Sequence, residues 1–232
     1  MTARLPDTFA ARIAEDGWAV IPSHIPNDVL AALANDLMPA ETTGRGGSRN
    51  LLDRPLVQAL ARSEPVRQVV EAVLGPGAVA VRGLFFDKSA GANWKVPWHQ
   101  DLTVAVAERI EEAGLGPWSV KDGVPHVEAP AELLEQMLAV RVHLDDCGSD
   151  NGPIRFLPGS HAAGKLNAAR IEAWRTAMPA VEAVCDRGGI SAFRPLLLHA
   201  SSAAAAPGHR RVVHLEFAAG LLPAGLHWRW AV

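Results

Sequence analysis

Apolar and polar residues alternate over Gln136 to Asp145, with Leu138, Val140, Val142 and Leu144 on one side and Ala139, Arg141 and His143 on the other. A period of two predicts a strand, since successive side chains of an extended chain point to opposite faces. One face is apolar and must pack, while the other carries charge and must meet solvent or a cavity. Arg210 to Phe217 repeats the pattern, with Arg210, Val212, His214 and Glu216 on one face and Arg211, Val213, Leu215 and Phe217 on the other. One of the two adjacent arginines is therefore expected to face the interior. Further strands are predicted over Gly17 to Pro22, Ala78 to Asp87, Trp94 to Asp101 (interrupted by Pro97), Ile154 to Leu157, Val181 to Val184, Ile190 to Phe193 and Leu196 to Ser201.

Helical spacing is confined to short stretches. These are Phe9 to Asp16, Asp28 to Met38 behind an Asn27 cap, Pro65 to Leu74, and a segment near Asn167 to Thr176. Many short strands without intervening helices predict a mainly β domain, a jelly roll or barrel with the N-terminal helices packed outside. No repeat or linker interrupts the chain, and residues 1–232 are expected to form one domain. The polar, glycine-rich stretch Glu41 to Asn50 is expected as a loop, because the strand and lysine of a phosphate cradle are absent. The segment from Glu108 to Pro130, with its GLGPWSVKDGVPH, is too long and punctuated for a hairpin turn and is expected as an ordered loop covering a site. Trp118, Lys121 and His126 lie in this 105–130 region.

Composition narrows the partners. With 22 basic and 25 acidic residues and a net charge of −3, the chain offers no polycationic surface, so nucleic acid and membrane are not expected partners. No run approaches the roughly 18 apolar residues of a spanning helix, and the first residues lack the apolar core of a secretory signal, so a soluble, cytoplasmic protein is expected. Cys147 and Cys185 are the only cysteines and have no CxxC spacing, which predicts two reduced structural thiols rather than a disulfide framework or zinc cluster.

Three clusters carry candidate chemistry. Trp98-His-Gln-Asp101 sets His99 and Asp101 two residues apart, on one side of an extended chain. A remote histidine would complete a two-histidine, one-carboxylate set, which leaves open metal positions and is the ligand set of non-haem Fe(II) oxygenases. His199 closes the apolar run Leu196-Leu-Leu and is the candidate third ligand; the alternative is a buried histidine satisfied by a backbone carbonyl. Arg210 follows eleven residues later. An inward guanidinium there needs an anion, either a bound carboxylate or an internal partner such as Glu216 or Asp186.

In this order, WHQD at 98–101, DNGPIRFLPGSH at 150–161, RPLLLHASS at 194–202 and HRRVVHLEF at 209–217, with DGWAVIPSHIP at 16–26, resemble the phytanoyl-CoA dioxygenase family of Fe(II)/2-oxoglutarate oxygenases. The resemblance implies a double-stranded β-helix of the cupin-like kind. It implies His99, Asp101 and His199 as metal ligands and catalytic residues, Fe(II) as cofactor, and 2-oxoglutarate and O2 as co-substrates. It assigns the far carboxylate of 2-oxoglutarate to Arg210, with Ser201 as a second contact. A further polar residue on a neighbouring strand commonly helps, for which Arg82, Arg141 and His143 are candidates. Trp98, Trp118, Arg141 and His143 are the candidate substrate-pocket residues. The chain has no tyrosine, so any family role for tyrosine is filled otherwise. Related halogenases replace the carboxylate ligand by a small residue, and the intact Asp101 favours oxygenation of a small organic molecule. The competing expectations are a cupin-like metal protein without 2-oxoglutarate turnover and a catalytically silent binding module.

Overall fold

The computed structural model describes residues 5–22, 24–37, 46–111 and 115–232. Six α-helices occur among them: α1 (Phe9–Glu15), α2 (Asn27–Leu37), α3 (Pro55–Arg62), α4 (Glu64–Leu74), α5 (Ala131–Leu134) and α6 (Ala168–Ala177). The strands are β1 (Trp18–Ile21), β2 (Gly47–Ser48), β3 (Val79–Lys88), β4 (Val96–His99), β5 (Thr103–Ala105), β6 (Trp118–Lys121), β7 (Val124–Glu128), β8 (Met137–His143), β9 (Ile154–Phe156), β10 (Val181–Glu182), β11 (Ile190–Phe193), β12 (His199–Ser201) and β13 (Arg210–Ala218). Met38 at the predicted end of α2, and residues 41–45 of the predicted polar loop, lie outside the described residues.

A six-stranded sheet in the order β1-β11-β8-β13-β3-β2 faces a four-stranded sheet in the order β10-β9-β12-β4, and every pairing is antiparallel. This is the expected mainly β, jelly-roll class, a double-stranded β-helix. Between the sheets Phe156 of β9 meets Phe193 of β11, ring centroids 5.1 Å apart, within a cluster that includes Trp18, Ala139 and Leu197.

All seven residues of β8 are buried. The apolar face predicted from alternation, with Leu138, Val140 and Val142, joins Leu215 and Phe217 of β13 under α1 to α4 in the main core. The opposite face turns Arg141 inward toward a cavity, so of the two outcomes open to the charged face the structure takes the cavity. Cross-strand register sets the rows of that inner face. Arg210 lies opposite Lys88, Val212 opposite Phe86 and His143, His214 opposite Leu84 and Arg141, and Glu216 opposite Arg82.

One element was not foreseen and one local expectation is corrected. The chain between Pro55 and Arg62 forms α3, with Pro55 in its first turn, where the missing N–H costs no internal bond. The 105–130 region is not one continuous loop: its second half holds β6 and β7, a hairpin that pairs with β5 in a third, three-stranded sheet. Gly116 and Pro117 precede β6 and Gly123 lies in the hairpin turn, while Pro125 lies within β7; residues 112–114 lie outside the described residues. The hairpin turn at Asp122-Gly123 has positive φ at both residues, 47° and 80°, the two-residue geometry that matches strand twist.

Cys147 and Cys185 are free and buried. No helix among the described residues is long and apolar enough to cross a membrane.

Candidate metal centre and anion pocket

His99 ends β4 and His199 begins β12, and their pairing across the four-stranded sheet brings the rings to 4.1 Å between centroids. Asp101 lies just beyond β4, where its N–H donates to the Pro195 carbonyl at 2.9 Å. Its carboxylate reaches both imidazoles, with Oδ1 3.7 Å from His99 Nε2 and Oδ2 3.5 Å from His199 Nε2. One ligand atom from each of the three lies within 4.8 Å of the others. A divalent ion with bonds of about 2.1 Å sets neighbouring ligands roughly 3.0–3.4 Å apart, so a small contraction of this triangle would complete coordination.

Backbone carbonyls fix both histidines. His99 Nδ1 donates to Pro97 O at 2.9 Å and His199 Nδ1 to Leu197 O at 2.8 Å, which leaves each Nε2 as a lone pair facing Asp101. The buried-histidine alternative therefore accounts for one nitrogen of His199 and leaves the other for a metal. Burial lowers the His199 pKa to about 4, which keeps the ring in the neutral form that a metal requires. Burial alone would raise the Asp101 carboxyl, but His199 and then His99 outweigh it and hold it below the ordinary value. The donor set, its convergence and its tautomers fit Fe(II).

Arg210 is the interior arginine. Arg211 points away and forms a two-pronged pair with Asp145, at 2.8 and 2.6 Å. Arg210 is buried, donates to the Gly152 carbonyl, and leaves its Nε without a partner. The internal-salt-bridge alternative is not realised, since Glu216 instead takes Arg82 at 3.0 Å and no carboxylate among the described residues lies within ion-pair distance of Arg210. Gly152 has φ of +63°, and a Cβ there would sit 2.7 Å from Ser202 O, so the carbonyl holding Arg210 comes from a backbone turn suited to glycine.

Two more buried cations share this end. Lys88 donates to Ser201 Oγ at 3.1 Å and to the Ser202 carbonyl. Arg141 touches His214 Nδ1 at 3.5 Å and has an unpartnered Nε. Burial, then Arg210, lowers Lys88 to about 8 and Arg141 to about 10. Arg210 depresses the other two, and none of the three cations has a carboxylate within ion-pair distance among the described residues, an arrangement suited to a bound anion.

The cavity holds about 120 Å3, and its lining includes His99, Asp101, His199, Ser201, Arg210 and Arg141. The other pocket candidates lie elsewhere. Trp98 packs with Leu157, Leu166 and Leu198 beneath Arg155, and Trp118 packs in the cluster around Val104, Val127 and Met137 beside Arg109. Their places as pocket walls are taken by Trp94, Phe86 and Phe193. His143 lies one row behind the cavity, its Nε2 3.1 Å from Ser191 Oγ and its Nδ1 unpartnered. Glu216, read from sequence as a possible internal partner, and His214 also line the cavity. Their position on the same alternating face as Arg210 was the available signal.

Buried neutral histidines predict acid sensitivity. Burial lowers His143 from 6.5 to about 3 and His126 from 6.5 to about 4. Below pH 6.5 the unfolded chain binds protons that the folded chain refuses, so their stability contribution is complete above that pH and declines toward the folded pKa values. For His143 the loss is on the order of 1.4 kcal/mol per pH unit. Urea midpoints of the metal-free protein are expected to fall steadily between pH 6.5 and 4, and His143→Gln is expected to flatten the slope by about one proton.

The sequence profile of the phytanoyl-CoA dioxygenase (PhyH) family matches residues 13–212. No curated protein matches the sequence. Among solved structures, EctD from S. alaskensis in its apoform superposes with a TM-score of 0.71 at 17% identity, over 94% of this chain and 79% of that chain. AviO1 from Streptomyces viridochromogenes Tue57 gives 0.67 at 22% identity, over 96% of this chain and 99% of that one. The non-heme alpha ketoglutarate dependent epimerase SnoN from nogalamycin biosynthesis gives 0.66 at 18% identity, over 91% and 81%. EctD structures also exist with bound Fe, and with 2-oxoglutarate and 5-hydroxyectoine. At these identities the likeness establishes the shared fold.

Proposed function

The chain belongs to the phytanoyl-CoA dioxygenase family, and from that premise we propose that it is an Fe(II)/2-oxoglutarate-dependent oxygenase acting on a small organic molecule. One observation carries the proposal: beside three convergent metal donors the cavity is lined by Arg210 and Arg141, with Lys88 buried against Ser201, and none of the three has a carboxylate partner among the described residues. A dicarboxylate that chelates a metal through one end and meets an arginine through the other suits both halves of this arrangement.

His99, Asp101 and His199 would hold Fe(II), with Asp101 offsetting part of its charge. When bound, the iron couples decarboxylation of 2-oxoglutarate by O2, giving succinate and CO2, to insertion of the second oxygen atom into the substrate. Arg210 grips the far carboxylate of the co-substrate, and Ser201 Oγ, already held by Lys88, lines the same end. Arg141, above the Phe86 ring at 5.5 Å, adds positive potential between that end and the metal donors. Phe193 and Phe86 exclude water around the reacting centre. The function is proposed for one domain spanning residues 1–232.

The test is succinate formation and O2 uptake with Fe(II), 2-oxoglutarate and ascorbate. Slow turnover without primary substrate is expected, together with 2-oxoglutarate binding that depends on metal. Metal binding without either result would favour a cupin-like metal protein, and absence of all three would favour a silent binding module.

A further inference from the structure

The regular ladder between the two ligand-bearing strands stops at the ligands. β4 ends at His99 and β12 begins at His199, the residue directly opposite. A regular antiparallel continuation would set Asp101 opposite Leu197, but the Asp101 N–H reaches Pro195 O at 2.9 Å, two residues out of step. In the gap between these contacts a side chain replaces the backbone rung, with Gln100 Nε2 donating to Leu196 O at 2.6 Å. Nε2 also donates to Gly164 O at 2.8 Å, and Oε1 accepts from Leu166 N at 2.8 Å. Two carbonyls and one N–H admit a single orientation of the amide, so the side chain is fixed. Gln100 is buried and, by alternation, points away from the cavity that His99 and Asp101 line.

Gly164 and Leu166 belong to the segment that follows β9, and the same segment holds the residue before His199. Leu157 N donates to Leu198 O at 3.0 Å, and the fully buried Ser160 accepts from Leu198 N on Oγ at 2.9 Å. Leu197 O is the acceptor that fixes His199 Nδ1, so a shift of residues 196–198 would turn the imidazole. A residue that only filled space under the loop would need no more than Gly164 and Leu166. The bond from Gln100 to Leu196 crosses to the other ligand-bearing strand.

Resting on the assignment of His99, Asp101 and His199 as metal ligands, we propose that Gln100 is a positioning residue of the metal centre, with Ser160 as its counterpart behind His199. Gln100 sets the spacing between the chain that carries His99 and Asp101 and the chain that leads into His199. Ser160 holds the latter from behind. Donors held in place before the ion arrives lose less freedom when it binds.

Calorimetric titration of the metal-free protein with Fe(II) under nitrogen tests the assignment. Gln100→Leu nearly keeps the side-chain size and removes all three hydrogen bonds. Fe(II) affinity is expected to fall about 10- to 100-fold, the range for groups that orient metal ligands. Ser160→Ala frees only the Leu198 N–H and is expected to weaken Fe(II) about three- to tenfold. Leu60→Ala, a truncation of the main core in α3, is the control, expected to lower the urea midpoint and leave Fe(II) affinity within about twofold. A Gln100 that merely stabilised the fold would follow this control. Fe(II) affinity that is unchanged in Gln100→Leu, or lowered no more than in Leu60→Ala, overturns the inference. If Gln100→Leu does not fold, Ser160→Ala decides by the same criterion. A parent protein that takes up no Fe(II), or a His199→Ala protein with parental affinity, removes the ligand assignment itself and this inference with it.

Discussion

Asp101→Ala is expected to remove iron binding and 2-oxoglutarate turnover together, the largest effect of any single substitution in this protein. The carboxylate lies between the two imidazoles at 3.7 and 3.5 Å and is the only anionic member of the three-residue donor set. Its loss leaves two neutral histidines, which do not offset the ion's charge. Even residues that merely orient metal ligands are worth about 10- to 100-fold in affinity, so removal of a ligand should exceed that. Metal content after dialysis and succinate yield measure the effect. His199→Ala should behave alike, whereas His143→Gln, one row behind the cavity, should retain metal. An Asp101→Ala protein that kept stoichiometric iron and normal turnover would place the centre elsewhere; the other geometrically compatible group among the described residues, Asp101, His214 and Glu216, also needs Asp101 and would instead be favoured by iron kept in His199→Ala.

Arg210→Ala is expected to raise the 2-oxoglutarate dissociation constant by about 10- to 100-fold, the range of one or two lost charge-assisted hydrogen bonds. Metal affinity should be unchanged, because Arg210 touches Gly152 and none of the three candidate ligands. Arg210→Lys should restore only part of the affinity, since an ammonium cannot present the paired donors of a guanidinium. Arg211→Ala supplies the control. It removes the pair with Asp145 and is expected to leave co-substrate affinity alone. Titration of each metal-loaded variant with 2-oxoglutarate separates the outcomes, and the opposite ranking of the two arginines would reverse the inward and outward faces of β13 in function.

The contrast between these neighbours shows what was legible from sequence. Alternation from Arg210 to Phe217 established that the two arginines face opposite ways and that the inner one needs an anion. It left the partner open between a ligand and Glu216 or Asp186. Cross-strand register closed that question by setting Glu216 opposite Arg82 and Arg210 opposite Lys88. The tryptophans went differently. Trp98 adjoins a candidate ligand in sequence, yet its side chain turns to the opposite side of the strand and packs under Arg155, while Trp94, five residues before His99, lines the cavity. Adjacent residues of an extended chain face apart, so nearness in sequence to His99 argued against a place in the cavity.

By itself the sequence determined most of the elements, the mainly β class and the three metal-donor candidates. Strand periodicity is a local property, and the ordered motifs at 98–101, 150–161, 194–202 and 209–217 are written directly in the chain. Tertiary structure decided which charges find partners. His99 and His199 are one hundred residues apart and meet only because β4 pairs with β12, and the lack of an ion-pair partner for Arg210 among the described residues appears only once every nearby carboxylate has been placed. A charge can be read from one residue. Its compensation depends on all the groups that folding brings within a few ångströms, and no local pattern encodes that sum.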